Sequence, residues 1–285
     1  MRVGCHGSVW VPAFDRAGME IAMERTRAAG FDLIEIPLMD PDDLDVTATR
    51  AGLERRGLTA TASLGLKPEL DLSSADPAVS ARGEAHLGRA LEVVHEVGGT
   101  HLCGVIACAM TKYQAPPTAR GRAHSVEAMR RLGARAAALG VVLCVEVVNR
   151  YESNLFNTAR QGLDYLEEVG SGSVRLHLDA YHMNIEEADH ATPIVEARDR
   201  LGYLHVGESH RGYLGTGTID FDAFFAGLAA SGFDGPLVFE SFSSAVVHKD
   251  LSTMLAIWRD PWSDSEDLAT RARAFIREGL AKANS

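Results

Sequence analysis

The chain is poor in cysteine, in long apolar runs and in basic residues, and each shortage excludes a class of protein. Only four cysteines occur in 285 residues. Cys5, Cys103, Cys108 and Cys144 follow no zinc-binding or CxxC spacing, and all lie in or near apolar, strand-like stretches. This predicts buried, reduced thiols and a cytoplasmic address, not a disulfide scaffold. The longest apolar stretch, Ala136–Val148, is interrupted by Gly140 and Glu146, so no membrane span is expected. The opening MRVGCHGSVW has no charged leader followed by an apolar core, and no secretion signal is expected from it. Lys plus Arg number 28 against 39 Asp plus Glu, a net charge of −11. Nucleic-acid binding normally requires a basic stripe, so no nucleic-acid partner is expected.

What is present is a repeat of alternating elements. Short β-branched runs recur at Arg2–Cys5, Asp32–Pro37, Leu58–Leu64, His101–Ile106, Val141–Val148, Val174–Leu178, Tyr203–Val206 and Leu237–Phe239. Amphipathic stretches follow most of them: Asp15–Ala29, Pro77–Val97, Thr118–Leu139, Thr158–Val169, Phe221–Ala230 and Ser265–Ala281. Gly30, Gly57, Gly98–Gly99, Gly140, Gly170, Gly202 and Gly232 read as helix stops ahead of the next strand. Eight βα units with no linker between them predict an α/β protein of one domain over 1–285, a single (β/α)8 TIM barrel. A doubly wound open sheet is the alternative, but CHGSVWVPAF after the first strand lacks GxGxxG. Two segments, Ala107–Thr118 and Ser241–Ser265 (with Trp258 and Trp262), exceed what the repeat needs. In a barrel both extend the C-terminal face, where a lid or a subunit contact would sit.

Barrel active sites form where strands end. Glu146 in strand five, Asp179 at the end of strand six, His205 in strand seven and Glu240 at the end of strand eight are ionisable groups in apolar runs. Burying an ionised carboxylate costs several kcal/mol unless it is paired or metal-bound. Four such groups on consecutive strands would converge on one divalent ion. Three carboxylates and an imidazole favour Mn²⁺, Mg²⁺ or Co²⁺. Around them, Arg150 and Glu152 follow strand five, His182 follows strand six, and His210 and Arg211 follow strand seven. The run from Gly212 to Gly217 is either a phosphate cradle or, more simply, a turn.

The strings CVEVVNRYE, HLDAYHMNIEE, HVGESHRGYLGTGTIDF and VFESFSS resemble the ketose 3-epimerases of the xylose-isomerase-like barrel superfamily, in family order along the whole chain. The resemblance implies metal ligands at Glu146, Asp179, His205 and Glu240, with Glu146 and Glu240 also the catalytic pair. It implies that Glu152, His182 and Arg211 hold the C1–C2 end of a ketose, and that the chain forms a homodimer or homotetramer. Several members carry aromatics where this chain has Cys5, His6, Gly7 and Ser8, which places His6 at the distal end of the sugar. The implied reaction epimerises C3 of D-fructose/D-allulose, D-tagatose/D-sorbose or L-ribulose/L-xylulose. The C3 proton, acidic because C2 is a carbonyl, leaves to one glutamate, and a proton returns from the other face. A related sugar isomerase or an inositol-catabolism lyase is the alternative. An endonuclease IV-like hydrolase is disfavoured by the −11 charge and by the few histidines at the mouth.

Overall fold

The computed structural model describes residues 1–283. Eight parallel strands close into a barrel in chain order: β1 (Arg2–His6), β2 (Leu33–Pro37), β3 (Thr59–Ser63), β4 (His101–Gly104), β5 (Val142–Glu146), β6 (Val174–Asp179), β7 (Leu201–Val206) and β8 (Pro236–Phe239). β8 pairs back onto β1 and closes the ring. The principal surrounding helices are α1 (Arg16–Ala28), α2 (Val46–Arg56), α3 (Pro77–Glu96), α4 (Ala119–Leu139), α5 (Ala159–Val169), α8 (Phe221–Ser231) and α10 (Ser265–Ala283). Between β6 and β7 the chain forms two short helices, α6 (Ala180–Glu186) and α7 (Thr192–Ala197). A further short helix, α9 (Lys249–Met254), lies in the long segment after β8.

The helices start where side chains satisfy the first free N–H groups. Asp15, Asp45, Asp76, Thr118, Thr158 and Asp220 each accept from an N–H of the first turn. Positive φ at Gly30, Gly57, Gly98, Gly140, Gly170 and Gly232 marks the turns out of the helices. Gly202 is different: it lies inside β7, not at a helix end. A Cβ there would come within 2.6 Å of the Arg175 side chain and 2.7 Å of Cys144 Sγ. Close packing between strands, not a helix stop, accounts for this glycine.

Side chains alternate between the two faces of each strand, and that alternation builds the site. Leu33, Cys103, Cys144, Tyr203 and Val238 form their own buried cluster inside the barrel, apart from the larger core under the helices. Two residues further along, Glu35, Glu146, His205 and Glu240 replace apolar side chains with ionisable ones. The barrel therefore holds a greasy lower layer and a charged layer at its C-terminal end. All four cysteines are buried and unpaired. Among the described residues, no helix is long and apolar enough to cross a membrane.

Candidate active site

The four residues expected from the strand ends meet in space. His205 Nδ1 lies 3.4 Å from Glu240 Oε1 and 3.9 Å from Glu146 Oε1. Ligand atoms of Asp179, His205 and Glu240 all lie within 4.8 Å of one another, as do those of Glu146, Asp179 and His182. Asp179, His205 and Glu240 are buried. A cavity of about 680 Å³ opens above them, with His6, Glu146, His205 and Glu240 on its floor and Phe14, Met110, Phe242 and Leu251 among its walls. Both long segments noted in the sequence contribute to that wall.

Charge is tightly balanced here. Burial alone would raise the Asp179 carboxyl, but Arg211, His182 and His205 outweigh it and hold it down to about 2. Burial would lower His205, but Glu240, Glu35 and Glu146 outweigh that and hold it up to about 10. Burial pushes Glu146 well above the usual carboxylate range, and Glu240, Asp179 and Glu152 push it further, against the pull of His205. Arg211 Nη1 reaches both Glu240 Oε2 at 2.7 Å and Asp179 Oδ2 at 3.0 Å. Its guanidinium stacks over the Tyr181 ring at 3.9 Å. Arg211 has φ 56, and its carbonyl accepts from Ser241 Oγ at 2.6 Å and from Trp262 Nε1 at 3.3 Å. Trp262 in the long segment thus pins the backbone from which Arg211 reaches the site.

These groups could hold a metal ion. His205 Nε2 faces Glu35 Oε2 at 2.8 Å. A carboxylate can only accept, so that nitrogen carries the hydrogen. His205 Nδ1 is then buried with no hydrogen-bond partner, aimed at Glu146 and Glu240. A divalent cation would answer the same carboxylates that hold the His205 proton, and hard oxygen donors with one imidazole suit it.

Residues 23–278 match the xylose isomerase-like TIM barrel family. A ketose 3-epimerase of Arthrobacter globiformis is 54% identical over 280 residues, 98% of this chain and 97% of that protein. The chain belongs to the ketose 3-epimerases of this family. It is therefore a carbohydrate epimerase, an isomerase. The crystal structure of a Methylomonas sp. D-allulose 3-epimerase in complex with D-allulose matches with a TM-score of 0.96 at 48% identity, over 98% of this chain and 96% of that one. A solved L-ribulose 3-epimerase matches with a TM-score of 0.96 at 44% identity, over 99% and 95%.

The loop residues of this epimerase divide. His182 Nε2 lies 3.6 Å from Glu146 Oε1 and 3.8 Å from Asp179 Oδ2, and Glu152 Oε1 accepts from Asn149 Nδ2. His6 Nε2 lies 3.9 Å from Glu240 Oε1, while Arg211 holds Oε2 of the same carboxylate. Glu240 thus separates His6 on one flank from Arg211 on the other. Arg150 is turned to the surface, where Glu186 takes its guanidinium. His210 is used within its own loop, accepting from the Gly212 N–H and contacting Thr216 Oγ1. The glycine run is a turn: the Gly215 N–H donates to the buried Glu208 carboxylate, so an internal acid fills the place a phosphate would need.

Glu35 was not singled out in the sequence, although the same signal was there. It is a carboxylate in the apolar run LIEIP, fully buried, accepting from His205 Nε2 and from Tyr203 Oη at 2.7 Å. Burial pushes its pKa up, but His205 and His6 outweigh that and hold it well below the usual carboxylate range. His177 was also missed; its ring stands edge-on to His205 at 4.3 Å beneath the site.

Proposed function

We propose that the protein epimerises free ketoses at C3, with Glu146 and Glu240 as the acid/base pair. The observation that carries this is that two buried carboxylates from β5 and from the end of β8 approach one histidine nitrogen on the floor of a sugar-sized cavity. One glutamate takes the C3 proton, and the C3–H electron pair moves into the C2 carbonyl. The other glutamate delivers a proton to the opposite face of C3, which inverts the centre. Each transfer contributes roughly 10²–10⁴-fold. Glu146, Asp179, His205 and Glu240 would hold one divalent ion, Mn²⁺, Mg²⁺ or Co²⁺. When bound, that ion supplies Lewis-acid stabilisation of negative charge on substrate oxygen. Glu152, His182 and Arg211 orient the C1–C2 end, Glu152 by accepting from a sugar hydroxyl and His182 and Arg211 by donating to the oxygen on which charge builds. His6, across Glu240 from Arg211, faces the distal end.

The substrate is an unphosphorylated sugar, because the glycine run is already filled by Glu208 and His210. D-fructose/D-allulose, D-tagatose/D-sorbose and L-ribulose/L-xylulose are the pairs to assay, given that relatives are named D-allulose and L-ribulose 3-epimerases. The four unpaired thiols support a cytoplasmic location. Self-association into a dimer or tetramer is the reading we give to Trp258 and Met254, both exposed on the long segment at the barrel mouth.

The test is a metal-supplemented screen of these ketoses, separating C3 epimers by chromatography and following C3 exchange in deuterated water. Turnover is expected for at least one pair, and Glu146→Gln and Glu240→Gln are expected to abolish it while far-UV circular dichroism stays unchanged. No C3 exchange across the panel rejects the reading.

A further inference from the structure

Of the four histidines within 4 Å of the site carboxylates, His6, His177, His182 and His205, the last two belong to the candidate groups that include Asp179, and their hydrogen-bond partners give them different work. His205 has its Nε2 hydrogen committed to Glu35, which leaves Nδ1 as the nitrogen that faces Glu146 and Glu240. For His182 the deciding neighbour is Asn149, a residue just past β5 that is 1% exposed. The Asn149 amide can be oriented without ambiguity. Its Oδ1 accepts from the Tyr151 N–H at 2.9 Å, and its Nδ2 faces Glu152 Oε1 at 3.0 Å and His182 Nδ1 at 2.8 Å. Turning the amide over would set oxygen against the Glu152 carboxylate and nitrogen against the Tyr151 N–H. The Asn149 backbone N–H also points to His182 Nδ1, at 3.2 Å. Two donors converge on that nitrogen, so it must carry a lone pair.

We propose that Asn149 is a positioning residue that fixes His182 with its hydrogen on Nε2. The ring then presents an N–H donor to the cavity floor beside Glu146 Oε1 and Asp179 Oδ2. A nitrogen bearing a hydrogen cannot ligate a metal. Of the two candidate groups that include Asp179, the one with His182 is therefore closed to an ion, while the one with His205 admits an ion in exchange for the Nδ1 proton. His182 keeps its hydrogen for a substrate oxygen. The position of one hydrogen, set by a neutral amide, keeps two nearby imidazoles from exchanging roles. That His182 uses the hydrogen in epimerisation rests on the function proposed above; the location of the hydrogen does not.

Nitrogen-15 NMR of the histidine rings in the full-length protein tests this directly. His182 should show a protonated Nε2 and a bare Nδ1, and titration with Mg²⁺ should move the His205 Nδ1 signal and leave that Nε2 protonated. Asn149→Asp keeps the shape and the acceptor for Tyr151 but turns the donor into an acceptor, so the hydrogen should move to Nδ1. Asn149→Ala removes the side-chain donor and leaves the backbone N–H. Loss of one well-placed donor to developing charge costs roughly 10²–10³-fold in kcat. The expected order of kcat is wild type, then Ala, then Asp, with Asp lowest by about 10²-fold and KM changed much less. A merely structural role predicts the reverse order, since Asp preserves the shape better. A wild-type His182 hydrogen on Nδ1, or an Asp variant more active than the Ala variant, overturns the proposal. If the Asp variant does not fold, the wild-type spectrum still decides. If no ketose is turned over, the function fails while the spectrum still judges the tautomer.

Discussion

Glu35→Gln isolates the charge beneath the His205 ring with almost no change of shape. In the protein, Glu35 Oε2 accepts from His205 Nε2 at 2.8 Å and from Tyr203 Oη at 2.7 Å, and Oε1 lies 3.5 Å from His6 Nε2. Tyr203 Oη is held in turn by Thr61 Oγ1 at 2.6 Å. A glutamine can place its oxygen where Oε2 stands and keep both bonds. Its amide nitrogen then takes the position of Oε1. What disappears is the negative charge that makes His205 electron-rich; the amide oxygen still accepts from Nε2 and keeps the tautomer. Losing the carboxylate partner of a metal-binding histidine costs about 10–100-fold in metal affinity. That corresponds to about 1.4–2.7 kcal/mol. Isothermal titration with Mn²⁺ at constant pH measures it, and thermal unfolding without added metal supplies the control. The expected outcome is a dissociation constant weakened by roughly one to two decades, with a native far-UV spectrum. Glu35→Leu, which also strands the His205 and Tyr203 donors, should additionally lower stability by about 1–3 kcal/mol. A Gln variant that binds Mn²⁺ as tightly as the wild type would refute the reasoning, because His205 would then owe nothing to the charge below it.

Three further outcomes follow from the same geometry. Arg211→Gln removes a cation that contacts Asp179 and Glu240, so calorimetry should show tighter divalent binding, by about tenfold or more, while kcat/KM for the ketose falls; weaker metal binding would contradict this. His101 is held down to about 4 by burial and by Arg175 and Arg2, below its unfolded value near 6.5. The unfolded chain then binds the proton first, so this stability is complete above about pH 6.5 and is lost toward pH 4, up to about 3 kcal/mol. Urea melts of His101→Gln should show a flatter acid limb, and an unchanged pH dependence would count against it. Mg²⁺ at a hundred times its dissociation constant should stabilise the fold by about 2.7 kcal/mol, read as a rise in melting temperature that Glu240→Gln diminishes.

Much of the barrel was legible because its rules are local. Each strand is a short apolar run, and most helices end in a glycine that the structure places at positive φ. Gly202 was misread because a glycine before a strand looks the same whether it stops a helix or lets Arg175 and Cys144 pack against the backbone. The short helices α6 and α7 gave no comparable period. The positions of Glu146, Asp179, His205 and Glu240 were legible because ionisable groups in apolar runs are costly and therefore conspicuous. Glu35 obeys the same rule, but it stands on β2, apart from the consecutive strands five to eight whose shared pattern points to one site. Asn149 left no such trace. Its importance lies in which way a side-chain amide faces, and that depends on the turn at Tyr151 and on a histidine 33 residues away.

The layering of the barrel explains why the site can be this acidic. Glu35, Glu146, Asp179 and Glu240 sit above a lower layer containing leucine, valine, cysteine and tyrosine and expose little of their side chains, so water screens them poorly. In so poorly screened an environment each carboxylate must find a cation or a proton. The chain supplies Arg211 from the β7 loop, His205 from β7, and a proton on Glu146, whose pKa burial raises. Under the proposed function all three answers are exchangeable: the arginine would shift to a substrate oxygen, the His205 Nδ1 proton would yield to a metal ion, and the Glu146 proton would leave for carbon. His6 and His177 sit in the same layer but lean the other way, their pKa values lowered chiefly by burial. They shape the floor without adding charge to it. Four of the 39 acidic residues are thus gathered in one layer, where each must be balanced by a cation or a proton.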